Sequence, residues 1–162
     1  MDDLWLALEG MLLMAVELVR ECGTGISELP CRCEEYQHET AGYRREIERI
    51  RLHIGQRVEK TAPTVRLPFL AFARRLAPGG WQKLCLLLGG ACDRKPNFGN
   101  LLAALQEDPA RRYATKGLVW SLAVLAGGSK ESLYGEMLAE QEFLRLCFLK
   151  SEPVLGEGIW EA

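Results

Sequence analysis

Few side chains in this sequence have the type and spacing that chemistry requires. Six cysteines stand at positions 22, 31, 33, 85, 92 and 147. Cys31-Arg32-Cys33, with Cys22 before it and His38 after it, is the one grouping that looks like a metal site. Structural zinc sites use pairs of ligands about two to four residues apart, with a second such pair completing the tetrahedron. Here one residue separates Cys31 from Cys33 and no second pair follows, so reduced loop thiols are the expectation. Zinc held by Cys22, Cys31, Cys33 and His38 in a free-standing helical protein is the alternative. A Cys22–Cys31 or Cys22–Cys33 disulfide needs an oxidising compartment that nothing else in the sequence indicates. Cys85 and Cys147 lie in apolar runs, where cysteine behaves as a small buried hydrophobe.

The remaining candidates are weaker. His38 and His53 are the only histidines, and both fall on a charged stretch where a solvated imidazole is the expectation. The carboxylate pairs Glu34/Glu35 and Glu107/Asp108 are adjacent in sequence, so on a helix they point apart and cannot bracket a substrate. Gly127-Gly128-Ser129-Lys130 lacks the leading glycine and buried strand of a phosphate loop, and it reads as one helix end meeting the next helix cap. The basic doublets Arg44-Arg45, Arg74-Arg75, Arg94-Lys95 and Arg111-Arg112 are offset by nearby acids and read as solvated faces. These residues imply neither an enzyme nor a cofactor.

The elements that would position such residues are helices. With 162 residues, 48% of them hydrophobic, the chain can bury a core of its own as one domain. Twenty Lys and Arg against 22 Asp and Glu leave a net charge of −2, which lacks the footprint of a general nucleic-acid binder. Leu4 to Val19 is apolar, but Asp2 and Asp3 flank it and Glu9 and Glu17 interrupt it. A soluble helix buried on several sides fits better than a signal peptide or a membrane span, and a cytoplasmic location follows as the expectation.

Helix one should run from Leu4 to Cys22, stopped by Gly23-Thr24-Gly25. Helix two, over about Glu34 to Thr61, carries Tyr36, Thr40, Tyr43, Ile47, Ile50, Ile54 and Val58 on one stripe. Its charged faces offer the pairs Arg44/Glu48, Arg45/Glu48 and Glu48/Arg51. A helix should begin near Pro68 and end at Pro78-Gly79-Gly80. Trp81 to Gly90 should form a short, central, apolar helix, followed by a polar turn over Asp93 to Asn97. Further helices are expected over Phe98 to Gln106, over Lys116 to Ala126 capped by Thr115, and from Lys130 to about Gln141 capped by Ser129. The helix–turn–helix around 98–126 has a Leu/Val/Ala/Trp-rich second helix, built for packing rather than for reading base edges. Gly156 and Gly158 in the tail favour a small terminal β-hairpin.

From Leu67 to about Leu125 the residue order resembles the N-terminal region of a family of bacterial AAA+ ATPases found beside extracellular contractile injection systems. Leu67-Pro68-Phe69-Leu70-Ala71-Phe72-Ala73-Arg74-Arg75-Leu76 and Trp81 to Leu88 stand where that family carries "LPRLARRFGLSxFE" and "LLLALAPELDRK". Asp93-Arg94-Lys95 falls at the "DRK" step and Leu105-Gln106-Glu107-Asp108 at the "LQDD" step, with Ala110-Arg111-Arg112 and Thr115 following. The resemblance implies a winged-helix-like C-terminal half. The expected fold is thus mainly α, a compact bundle of about seven to eight helices, one domain over 1–162. Within it, 1–62 holds two longer helices and the cysteine loop, and 63–162 the winged-helix-like part with its hairpin. The resemblance further implies a non-catalytic interaction or regulatory domain whose ATP-binding core lies outside these residues. Asp93, Arg94, Lys95, Gln106, Asp108, Arg111 and Arg112 are then the candidates for contact with a protein partner or the parent ATPase core. Oligomers are compatible with this, while membrane and nucleic-acid partners are disfavoured and a winged-helix DNA-binding module is the weaker alternative.

Overall fold

A computed structural model describes residues 2–60 and 80–147. The expected helix at Pro68 and the expected terminal hairpin lie outside these residues. The chain is mainly helical, and no strand occurs among the described residues. Among them seven helices follow in order: α1 (Asp2–Cys22), α2 (Gln37–Lys60), α3 (Gly80–Arg94), α4 (Pro96–Leu105), α5 (Lys116–Leu125), α6 (Lys130–Ala139) and α7 (Gln141–Cys147), with a short 3-10 turn at Leu29–Arg32. One hydrophobic cluster draws residues from each of these helices.

Helix α1 buries Leu8, Leu12, Ala15, Leu18 and Cys22, a single stripe at helical spacing. Trp5, Met11, Met14, Val16 and Val19 also pack against the core, so α1 is covered on several sides, and Leu6 and Leu13, 57% and 47% exposed, lie on the strip that is left open. It stops where Gly23 adopts φ 62°, the left-handed conformation that glycine takes without a steric cost, and donates its amide to Val19 O at 3.0 Å. Helix α2 buries Thr40, Tyr43 and Ile47 from the expected stripe and leaves Ile50 and Ile54 half-buried. Of the three charge pairs expected on it, only Arg51 with Glu48 forms, at 3.4 Å. Arg49 pairs with Glu46 at 2.8 Å instead, and Arg44 leaves the helix surface to reach another element.

Helix α3 continues through Asp93 to Arg94, where the composition suggests a turn. Nothing in that stretch breaks a helix until Pro96, which disfavours the α conformation for the residue before it. Lys95 is accordingly extended, with φ −146° and ψ 129°, and Pro96 opens α4 in the first turn that proline favours. The two caps fall as expected. Thr115 accepts from Leu118 N at 3.3 Å, and Ser129 accepts from Ser132 N at 3.4 Å.

The central helix is α5, not α3. Gly117 to Leu122, Val124 and Leu125 are all buried, and α5 packs against α2, α3, α6 and the 3-10 turn. Helix α3 keeps Lys83 and Gly89 exposed and lies on the flank. Its Trp81 meets Phe143 of α7 edge-on at 5.5 Å between ring centroids, which ties that helix to the core.

Candidate interaction surface

Six of the seven expected contact residues are engaged inside the fold. The Arg94 guanidinium sits 5.6 Å over the Trp5 ring. Lys95 Nζ lies 3.3 Å from Glu9 Oε2, and Asn97 Nδ2 donates to Glu9 Oε1 at 2.9 Å. The Asn97 hydrogen bond, with the Lys95 bond and charge behind it, holds the Glu9 carboxyl below the usual carboxylate range. These contacts fix the start of α4 against α1. They give Glu9, which merely interrupts an apolar run in the sequence, a positioning role.

Gln106 is the centre of the next junction. Its Nε2 lies 2.8 Å from Tyr113 O, 3.0 Å from Arg111 O and 3.2 Å from Leu102 O, while its Oε1 accepts from Thr115 Oγ1 at 2.7 Å. One amide thereby satisfies the carbonyls of the loop between α4 and α5 and links to the cap of α5. Glu107 turns that loop with φ 52°, a conformation that side chains other than glycine seldom adopt. Asp108 accepts from Ala110 N at 2.9 Å and pairs with Arg111 at 3.0 Å. Arg112 donates to Asn100 Oδ1 at 2.6 Å, and its carbonyl accepts from Cys92 Sγ at 3.1 Å. The Arg112 backbone passes so near α4 that a Cβ at Gly99 would sit 3.3 Å from Arg112 O. Asp93, exposed at the end of α3, stands outside this network.

The cysteine cluster is not assembled into a ligand set. Among the described residues no three of His, Cys, Asp and Glu converge as metal ligands would. Cys22 is buried and Cys31 exposed, while Cys33 is half-buried and donates to Leu29 O at 3.4 Å. Burial pushes the Cys22 thiol upward, with the charge of Glu39 acting in the same direction. His38 and His53 are both exposed. Cys85 is buried as expected, and the Cys147 side chain lies outside the described set.

What the helices do build is a groove of about 610 Å³. Leu4, Leu8 and Met11 of α1 and Ile47, Ile50 and Ile54 of α2 line it. Trp81, Leu84 and Leu87 of α3 line it as well, with Ala123, Ala126, Gly127 and Gly128 at the end of α5. Among the described residues its ionisable groups are Arg51 on α2, Lys83 on α3 and Glu136 on α6. Glu136 is committed on both oxygens, accepting from Trp81 Nε1 at 3.1 Å and from Ser132 Oγ at 3.0 Å. Such a surface offers apolar burial with two cations and one carboxylate among its described lining groups.

Two features lie beyond sequence reasoning. Arg44 reaches from α2 to the C-terminal end of α5 and donates to Leu125 O at 3.1 Å and Val124 O at 3.5 Å, across about 80 residues of chain. The groove itself is contributed by five helices, and no contiguous stretch announces it. Among the described residues no helix is long and apolar enough to cross a membrane. No family model, curated protein or solved structure matches this chain.

Proposed function

We propose that the chain is a non-catalytic protein-interaction domain of the kind that precedes a AAA+ ATPase core, acting in the cytoplasm through its apolar groove. The observation that supports this most is the groove: mainly apolar walls, with the acid among its described residues already bonded on both carboxylate oxygens. Clefts that do chemistry converge polar and titratable groups, whereas surfaces that hold partners present apolar area with a charged rim. The resemblance over Leu67–Leu125 supplies the ATPase context, and a winged-helix-like C-terminal half belongs to the same proposal. The burial of α5 favours this over base reading, because that helix has no polar side to offer a major groove.

The test has two arms. The isolated chain should show no saturable binding of ATP–Mg in calorimetry, and micromolar affinity would overturn the non-catalytic role. The reading frame beyond Ala162 should contain a phosphate loop. Removal of residues 1–162 from that longer protein should then preserve ATP hydrolysis and change partner engagement.

A further inference from the structure

We infer that a second cleft, at the N-terminal end of α5, binds a small hydroxylated amine of the short amino-alcohol class, its ammonium on the Glu107 carboxylate and its hydroxyl on Ser121. The cleft lies where the loop after α4 and the first turns of α5 meet Gly25, Ile26 and Ser27, and its volume is about 150 Å³. Among the described residues it shares no lining with the apolar groove. That volume is about half the lower bound for a drug-sized ligand, so a handful of non-hydrogen atoms fills it.

Ser121 is the group that the fold leaves unsatisfied here. It is fully buried, it lines the cleft, and its hydroxyl has no hydrogen-bond partner among the described residues. Gly117, Leu118 and Ser121 are spaced by three and four on α5, so one face of that helix lines the cleft. A helical side chain covers the turn N-terminal to its own Cα. For Ser121 that turn carries Gly117, which has no side chain to occupy the space. A buried hydroxyl in this state lowers the stability of the unliganded protein, and a ligand that bonds to it restores what was lost.

The rest of the lining sets the polarity and charge of the ligand. The amide hydrogens of Gln106 go to loop carbonyls, and the Thr115 hydroxyl donates to Gln106 Oε1. The Arg111 guanidinium meets Asp108 at 3.0 Å, which neutralises it locally. The polar side chains left over are Ser27, Glu107 and Ser121, none of them bonded among the described residues. A Cβ at Gly25 would stand 3.7 Å from Glu107 Oε1 and 3.8 Å from Ser27 Oγ, so these two oxygens share the exposed rim while Ser121 lies at the buried end. Two hydroxyls and an unpaired carboxylate match a ligand that donates hydrogen bonds and carries positive charge. Ile26, Leu105 and Leu118 receive its carbon stem. A helix N-terminus favours anions, but here Glu107 opposes one.

The full 162-residue chain is titrated with ethanolamine, ethylammonium, ethylene glycol and glycolate at matched ionic strength, and amide shifts are followed by NMR. Ethanolamine should shift residues around Gly25, Glu107 and Ser121, and bind about tenfold more tightly than ethylammonium or ethylene glycol, each of which lacks one of its two polar contacts. Glycolate should not bind. Ser121→Ala should reduce ethanolamine to the affinity of ethylammonium and leave ethylammonium unchanged. Glu107→Gln, at an exposed position, should reduce ethanolamine to the affinity of ethylene glycol. Ethanolamine no tighter than ethylammonium, or indifferent to Ser121→Ala, overturns the inference. Glycolate as the tightest probe overturns it in favour of an anion site. Absence of localised shifts with every probe also overturns it, and a lowered Tm of Ser121→Ala would then assign the hydroxyl to bound water.

Discussion

Replacing Gln106 with glutamate changes one NH2 group to oxygen and leaves the shape of the side chain intact. The amide nitrogen has two hydrogens and faces three carbonyls, at 2.8, 3.0 and 3.2 Å. The most distant of these, Leu102 O, already accepts the Gln106 backbone amide at 3.1 Å. The side-chain hydrogens therefore serve chiefly Tyr113 O and Arg111 O. An ionised glutamate donates to neither and sets negative charge against all three oxygens, while it can still accept from Thr115. Two lost hydrogen bonds at about 1 kcal/mol each, plus about 1 kcal/mol for repulsion at a half-buried site, give a loss of about 3 kcal/mol at neutral pH.

The loss should depend on pH with a definite sign. Once protonated, the carboxyl introduced by Gln106→Glu regains one donor, so its folded-state pKa rises above the unfolded value of about 4.3. Stability gained from the protonated form is complete below that unfolded value and is lost as pH rises through the folded one. Urea unfolding followed by circular dichroism at pH 4 and pH 7 should find Gln106→Glu much nearer the native protein at the lower pH. Gln106→Met, which adds no charge, should show a deficit independent of pH. A Gln106→Glu variant within about 0.5 kcal/mol of the native protein at pH 7, the range of an ordinary surface substitution, or a deficit that grows on acidification, would refute this role of the Gln106 amide.

Arg44→Ala should cost about 1–2 kcal/mol in urea unfolding, because it frees Leu125 O, leaves Val124 O with its bond from Gly127 N alone, and removes a cation from the negative end of α5; Arg44→Lys should recover part of the loss. Ser121→Ala should raise stability by about 1 kcal/mol, since the Ser121 hydroxyl is fully buried and has no hydrogen-bond partner among the described residues. Differential scanning fluorimetry would register this as a higher Tm, and a lower one would mean that the hydroxyl is bonded. Glu9 has its carboxyl held low, so its contribution is present above the ordinary carboxylate pKa and vanishes as pH falls through the folded value. The native protein should therefore lose more stability on acidification than Glu9→Gln, as measured by unfolding at pH 3 and pH 6.

The helices are legible in the sequence because their signals are local. The α2 stripe, the proline at the start of α4 and the caps Thr115 and Ser129 each depend on residues within a turn or two of one another. Burial is legible only in part. Helices α3 and α5 are both apolar in sequence, and which of them is central is decided by the elements that surround each. The junction of α3 and α4 is hidden because Asp93-Arg94-Lys95 looks like a turn by composition, although only Pro96 has the stereochemistry to end a helix there. Of the candidate contact residues, the positions are legible and their use is not. Lys95 and Arg112 meet partners 86 and 12 residues away, and a solvated cation looks no different in a sequence from one engaged across the fold.

A side chain that holds the fold together is poorly placed to recognise a partner as well. Drawing Gln106 outward would strand Arg111 O, Tyr113 O and Thr115 Oγ1, at a cost comparable to the gain from a good polar contact. Lys95 and Arg112 are held more weakly, by exposed contacts to Glu9 and Asn100. Half-buried Ile50, Ile54, Leu84 and Leu87 carry no such obligation, and each gains free energy from further burial. Substitutions in 93–112 should then change partner binding only as far as they change stability. Substitutions along the groove should change binding at nearly constant stability, and plotting the two quantities against each other separates structural from recognising residues whatever the partner turns out to be.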